Sequence, residues 1–248
     1  MSWIPWTGCY KESDGCTYCY FYGPYSKRYG HNTVLRTDDR EFYKPLEEIY
    51  MPRKKITKYV IESGKIVPTC FSSDFFIAEA DQWRREAWSI IKQRPDLTFL
   101  FLTKRIDRFN VSLPDDWGDG YDNVQIGCTV ENQEVADYRL PLFMSHPIKC
   151  RFIACSPLLS KINLTPYLQG VKRVSVHGES GRDARICDYD WVLDIRNQCE
   201  AAGVSFKFGG TGSRFRQDGV TRNINPYIQT RTAREMSINI DVDNRDDM

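Results

Sequence analysis

No stretch of the 248 residues approaches the roughly 20 consecutive apolar positions that a membrane-spanning helix needs. The N-terminus also lacks the basic start and apolar stretch of a secretory signal. The chain therefore reads as cytoplasmic, with no membrane partner. Charge of one sign is missing too: 34 Lys and Arg face 33 Asp and Glu, a formal net charge of +1. No whole-molecule field draws it to nucleic acid or anionic lipid, and a local run such as Arg53-Lys54-Lys55 reads as a solvated face. Low-complexity tracts are absent. So is a paired set of cysteines: there are nine, an odd number, and Cys70, Cys128, Cys150, Cys155, Cys187 and Cys199 lie scattered in apolar or helical contexts. That excludes a secreted disulfide framework and points to a reducing compartment, where thiols can bind metal.

What is present is alternation. Val67 to Phe71, Leu97 to Leu102, Val124 to Val130, Cys150 to Cys155, Val171 to Val176 and Val204 to Phe208 are short, nearly continuous apolar runs. Runs of that kind suit strands buried on both faces of a parallel sheet. Ala80 to Arg94 and Asp190 to Ala202 carry apolar residues at helical spacing, the first stopping at Pro95 and the second at Gly203. The expected fold class is α/β, a partial (β/α)6 TIM-type barrel of parallel strands, with the cysteine-bearing loop at its N-terminus. One domain is expected over residues 1–235, with residues 1–30 as a structured loop and the acidic tail 236–248 frayed. The charged segment Asp38 to Lys58 reads as one or two outer helices.

Each expected strand ends in polar or glycine-rich residues: Ser72-Ser73-Asp74, Thr103-Lys104-Arg105, Glu131-Asn132-Gln133, Ser156-Pro157, His177-Gly178-Glu179-Ser180-Gly181 and Gly209-Gly210-Thr211-Gly212. Loops at that rim are where βα barrels build their sites. Some of these residues serve equally well as helix caps. Charged residues such as Lys104, Arg105 and Glu131 are harder to explain that way.

The densest chemistry lies at the start. Cys9-x6-Cys16-x2-Cys19 places three thiols within eleven residues, with Gly8 and Gly15 beside two of them and no fourth cysteine nearby. Structural zinc takes four closed ligands, and Fe–S electron carriers take four cysteines. Three thiolates leave one metal position open, as a catalytic [4Fe–4S] cluster requires. Two other readings stand beside it: zinc on Cys9, Cys16, Cys19 and a distant ligand such as His31, and unliganded buried cysteines.

These residues resemble the radical S-adenosylmethionine superfamily, in which three cysteines hold a [4Fe–4S] cluster and the fourth iron binds the cofactor. The commonest spacing there is CxxxCxxC, and the first gap here is six residues long; Tyr18 fills the aromatic place before the third cysteine. A closer resemblance runs along nearly the whole chain, to a phage-associated three-cysteine family with a WxPWxGC…SxGCxxCY opening, regarded as radical-SAM-like. Trp3 to Cys9, Ser13 to Tyr20, Ser73 to Phe76, Phe101 to Arg105, Gly127 to Gln133, Pro157 to Leu159, Gly178 to Gly181 and Cys199 to Phe208 carry it in order. Ser156 stands where that family usually has glutamate, and His177 where a glycine pair is usual.

The resemblance implies a radical enzyme that cleaves S-adenosyl-L-methionine and generates a 5′-deoxyadenosyl radical, with Cys9, Cys16 and Cys19 as cluster ligands. Ser72, Ser73 and Asp74 would meet the cofactor's amino group, Tyr18 its adenine, and Thr103, Glu131 and Asn132 its ribose or carboxylate. Lys104 and Arg105 would clamp an anionic group on cofactor or substrate. Glu179 and His177 are candidates for proton transfer or substrate binding, and Arg185 for substrate binding. The expected partners are a small-molecule or nucleotide substrate, with nucleic acid as a further candidate, and an electron donor such as flavodoxin or ferredoxin. The aromatics Tyr20, Phe21, Tyr22, Tyr25 and Tyr29 beside Lys27 and Arg28 suit either base stacking or a lid over the cluster. A non-catalytic zinc- or Fe–S-stabilised binding module and a DNA lesion repair enzyme are the alternatives.

Overall fold

The computed structural model describes residues 1–22, 27–28 and 33–242. Six strands form one sheet: β1 (Ile66–Thr69), β2 (Thr98–Thr103), β3 (Val124–Thr129), β4 (Cys150–Cys155), β5 (Val171–His177) and β6 (Ser205–Gly210). Their order in the sheet is their order in the chain. The β1–β2, β4–β5 and β5–β6 pairs are parallel. Between them lie α1 (Asp81–Gln93), α2 (Gln133–Ser145) and α3 (Tyr189–Ala201), and α4 (Gln229–Glu235) follows β6. A mixed α/β fold with a six-stranded parallel sheet is therefore present, and sequential order is what successive βα units wound in one sense produce. No helix among the described residues is long and apolar enough to cross a membrane.

The chain divides into two compact units. The first comprises Met1–Tyr10, Tyr29–Gly127 and His146–Cys150. Its core is aromatic: Phe75 stacks on Phe101 with centroids 4.2 Å apart, and Trp88 meets Phe75, Phe101 and Trp117. The N-terminal segment is not only loop. Trp3 bridges Thr69 alongside β1, and Trp6–Thr7 pairs antiparallel with Leu35–Arg36. Both indoles are fully buried, with Nε1 of Trp3 donating to the Phe42 carbonyl and Nε1 of Trp6 to the Asp74 carbonyl. A buried indole N–H needs such a partner, so these bonds fix the strand leading to Cys9.

The segment expected as outer helices is mostly not helical. After the single turn Asp39–Phe42 it forms an antiparallel hairpin, Glu48–Met51 with Ile56–Tyr59. Lys55, at φ +54°, makes the turn. The carbonyls left at its base are gathered by Arg94, which is 1% exposed and donates to Pro45 and Ile61 while pairing with Asp96.

The second unit comprises Lys11–Arg28, Cys128–Ser145 and Arg151–Met248. Beyond β4 to β6 it holds a small second sheet in which Ile186–Asp188 pairs parallel with Arg214–Gln217, itself antiparallel to Val220–Asn223. The tail expected to fray is anchored at its start: Ile240 exchanges both backbone bonds with Phe206, and Asn239 accepts from the Phe208 amide. Residues 243–248 lie outside the described residues.

Candidate functional site

The three loop cysteines do not share a unit: Cys9 belongs to the first, Cys16 and Cys19 to the second. In the first unit, the end of β1 and the end of β2 build one network. Asp74 is 4% exposed, and its Oδ1 accepts from the Thr103 hydroxyl at 2.8 Å and the Phe76 amide at 3.0 Å. Its Oδ2 accepts from the Lys104 amide at 2.9 Å and from Arg105 Nη1 at 3.3 Å. The Thr103 hydroxyl accepts in turn from the Arg105 amide. Arg105 then reaches the cysteine segment: Nη1 stands 3.7 Å from Cys9 Sγ, Nη2 donates to the Tyr10 carbonyl at 2.8 Å, and the guanidinium covers the Tyr10 ring. Ser73 donates to the Gly8 carbonyl. The Ser72 hydroxyl is buried with no hydrogen-bond partner.

In the second unit the short helical turn Asp14–Cys16 is held from two strand ends. Glu131, fully buried beyond β3, takes the Gly15 amide on Oε1 at 3.1 Å and Arg139 on Oε2 at 3.2 Å. Arg139 also donates to the Thr129 carbonyl. Beyond β5, Glu179 is 5% exposed and receives Arg185 through Nε, Nη2 and the backbone amide. Arg185 Nη2 donates as well to the Asp14 carbonyl at 2.8 Å, and its guanidinium lies 5.4 Å from the Tyr18 ring centre. The Ser13 hydroxyl is another buried group without a partner.

Asn132 caps α2, its Oδ1 accepting from the Val135 amide. His177 lies against a glycine: a Cβ on Gly209 would stand 2.0 Å from its Nε2, so only glycine leaves room for the ring. Burial, with the Lys207 charge behind it, holds His177 below the ordinary imidazole pKa, so it is neutral at pH 7.

The sheet and helix cysteines form a contrasting set. Burial pushes the Cys70 thiol up strongly and raises Cys155, while Cys187 and Cys199 are each pushed up to about 12. They are protonated core residues, as their apolar settings suggest. Among the described residues no three His, Cys, Asp or Glu side chains are grouped to hold a single metal ion. His31, Tyr25 and Tyr29 lie outside the described residues.

Thus the structure gathers Ser73, Asp74, Thr103, Lys104 and Arg105 around Cys9, and Glu131, Glu179, Arg185 and Tyr18 around the Cys16 turn. It sets Asn132 apart as a cap and His177 apart against β6. Arg139 escaped sequence reading, although the signal was there. It shares the buried face of α2 with Ala136, Leu140 and Phe143 at helical spacing, and an arginine on such a face calls for a buried acid.

A family model described as a protein of unknown function, DUF5131, matches residues 1–240. No curated protein and no solved structure matches the chain.

Proposed function

The chain belongs to the DUF5131 family, and from that premise we propose that it is a radical S-adenosylmethionine enzyme whose Cys9, Cys16 and Cys19 hold a [4Fe–4S] cluster. The observation that carries the reading is the investment of buried charge in the cysteine segments. Arg105 attends Cys9, while Glu131 and Arg185 fix the turn ahead of Cys16. Cys70 and Cys199, by contrast, are held protonated by burial above all.

Two further features support this reading. Ser72, two residues after Cys70 and bonded through its carbonyl to the Gly8 amide, keeps an unused buried hydroxyl, and so does Ser13 beside the Cys16 turn. Thiolate-bound clusters are anionic, and hydrogen-bond donors and nearby cations set their potential. Arg105 supplies such a cation at Cys9.

When bound, cluster and S-adenosylmethionine supply one-electron cleavage and a carbon radical, and the protein supplies position and shielding. Asp74 has a different task from the one its charge suggested. Both its oxygens are occupied by protein donors, so it aims Arg105 rather than receiving an ammonium group. Thr103 is likewise occupied, as Asp74's donor and the Arg105 amide's acceptor. Ser72 takes over as the hydroxyl for the cofactor. Glu179 holds Arg185, which positions the cysteine turn.

Anaerobic reconstitution tests the proposal. About four irons and four sulfides per chain are expected, with reductive cleavage of S-adenosylmethionine that disappears in Cys16→Ala. One tightly held zinc without cleavage would overturn it in favour of a non-catalytic binding module.

A further inference from the structure

In the second unit, three segments distant in sequence are joined by polar side chains around the buried Gln229. The Ser213 hydroxyl accepts from the Gly181 amide at 2.9 Å and from Gln229 Nε2 at 3.0 Å. The Ser180 hydroxyl donates to Gln229 Oε1 at 2.6 Å. Gln229 is 6% exposed and holds the two serines at the edge of the surface. Each segment carries an exposed group immediately beside this junction: Arg182 after Gly181, Arg214 after Ser213, and Tyr227 two residues before Gln229.

Tyr227 is 95% exposed, a rare state for a tyrosine, and its neighbour Ile228 is 43% exposed. The Arg182 and Arg214 guanidiniums are exposed and make no hydrogen bond or carboxylate pair among the described residues, whereas Arg222, paired with Phe215 across the ribbon, lies on the face opposite Arg214. Residues 205–236 carry six Lys and Arg against two acids in a chain that is otherwise balanced. Of the nearby acids, Glu235 is paired with Arg231 and Asp188 with Arg216; Asp183 and Asp218 are exposed.

We propose that this junction is a landing surface for a single-stranded nucleic acid, with Arg182 and Arg214 meeting phosphates and Tyr227 stacking a base. Unpaired guanidiniums suit phosphate oxygens, and an exposed aromatic ring beside them accepts any base face, the combination that single strands require. A duplex hides its base faces and would leave Tyr227 unused. The surface adjoins the Glu179–Arg185 loop, whose Arg185 holds the Asp14 carbonyl ahead of Cys16. The inference names a substrate class for the proposed radical enzyme, and it rests on that reading for the reaction but not for the binding.

The test is fluorescence anisotropy of labelled single strands of about 15 nucleotides, DNA and RNA in separate arms, titrated with the full chain at several salt concentrations. Arg182→Ala with Arg214→Ala should weaken binding about tenfold at low salt and flatten the salt slope by about 1.4, two phosphate contacts at about 0.7 each. Tyr227→Ala should weaken it about tenfold with the slope unchanged. All three side chains are exposed, so circular dichroism should be that of the wild type. Absence of binding at low salt, wild-type binding by these variants, or equal competition by duplex DNA or anionic vesicles would overturn the inference. Cys16→Ala separates the two readings, since it should keep strand binding while losing cofactor cleavage. A wild-type chain that cleaves S-adenosylmethionine but ignores single strands defeats only the landing surface; one that binds strands without cleavage defeats only the radical chemistry.

Discussion

Cys9 and Cys16 stand seven residues apart, yet the protein grips them in different ways. At Cys9 the grip falls on the side chain: Arg105 approaches Sγ directly and takes the Tyr10 carbonyl as a second hold. At Cys16 it falls on the backbone ahead of the thiol, where Glu131 takes the Gly15 amide and Arg185 the Asp14 carbonyl. The first arrangement sets the electrostatic environment of a sulfur. The second sets the path of the chain that delivers one. Behind the first grip stands Asp74 with four donors, and behind the second Glu131, which holds Arg139 as well as the Gly15 amide.

Glu131→Ala is the harshest way to test that difference. It leaves the Arg139 guanidinium, 3% exposed, without its acid. Breaking a buried pair from one side costs about 3–5 kcal/mol, measurable as a lowered urea midpoint. Glu131→Gln keeps an acceptor for Gly15 and should fall between that variant and the wild type. Arg105→Ala comes next, at about 1.5–3 kcal/mol, because Asp74 retains Thr103, Phe76 and the Lys104 amide. Its distinctive readout is the reconstituted cluster: the reduction potential should move in Arg105→Ala and stay put in Glu131→Gln at equal iron content. An Arg105 variant with an unaltered potential, or one less stable than Glu131→Ala, would break the contrast.

The sheet was legible because strands buried on both faces read as continuous apolar runs, and β1 to β6 begin within a residue or two of those runs. Elements held by a few long-range bonds were not. Trp6–Thr7 is a strand only because Leu35–Arg36 lies beside it, and the Glu48–Tyr59 hairpin leaves Ile49, Tyr50 and Ile56 exposed, so no clean alternation marks it. The ribbon after β6 did carry a signal. Asp218-Gly219, with φ +52° and +73°, is the Asp-Gly pair that favours a tight hairpin turn. In the site, charged residues at strand ends could be recognised but their partners could not. A carboxylate in a sequence looks available; Asp74 is fully engaged, and that depends on where Thr103 and Arg105 arrive.

The mildest test uses a guanidinium that builds the first unit without touching a cysteine segment. Arg94 collects the Pro45 and Ile61 carbonyls much as Arg105 collects that of Tyr10, and Asp96 is its counter-charge at 2.7 Å. The hydrogen bonds from Arg94 hold the Asp96 carboxyl down at about 2, against about 3.9 in an unfolded chain. A depressed carboxylate stabilises the fold fully above the unfolded value, and the contribution fades as pH falls from about 4 toward 2. Asp96→Asn should therefore lower the melting temperature by a few degrees at pH 7 and flatten its decline over that acid window, as calorimetry at stepped pH would register. Because this pair stands apart from both cysteine grips, iron content and cluster potential should be those of the wild type. A shift in either would mean that the grip on Cys9 depends on the whole first unit rather than on Arg105 and Asp74, and the contrast between the two anchors would then be one of position alone.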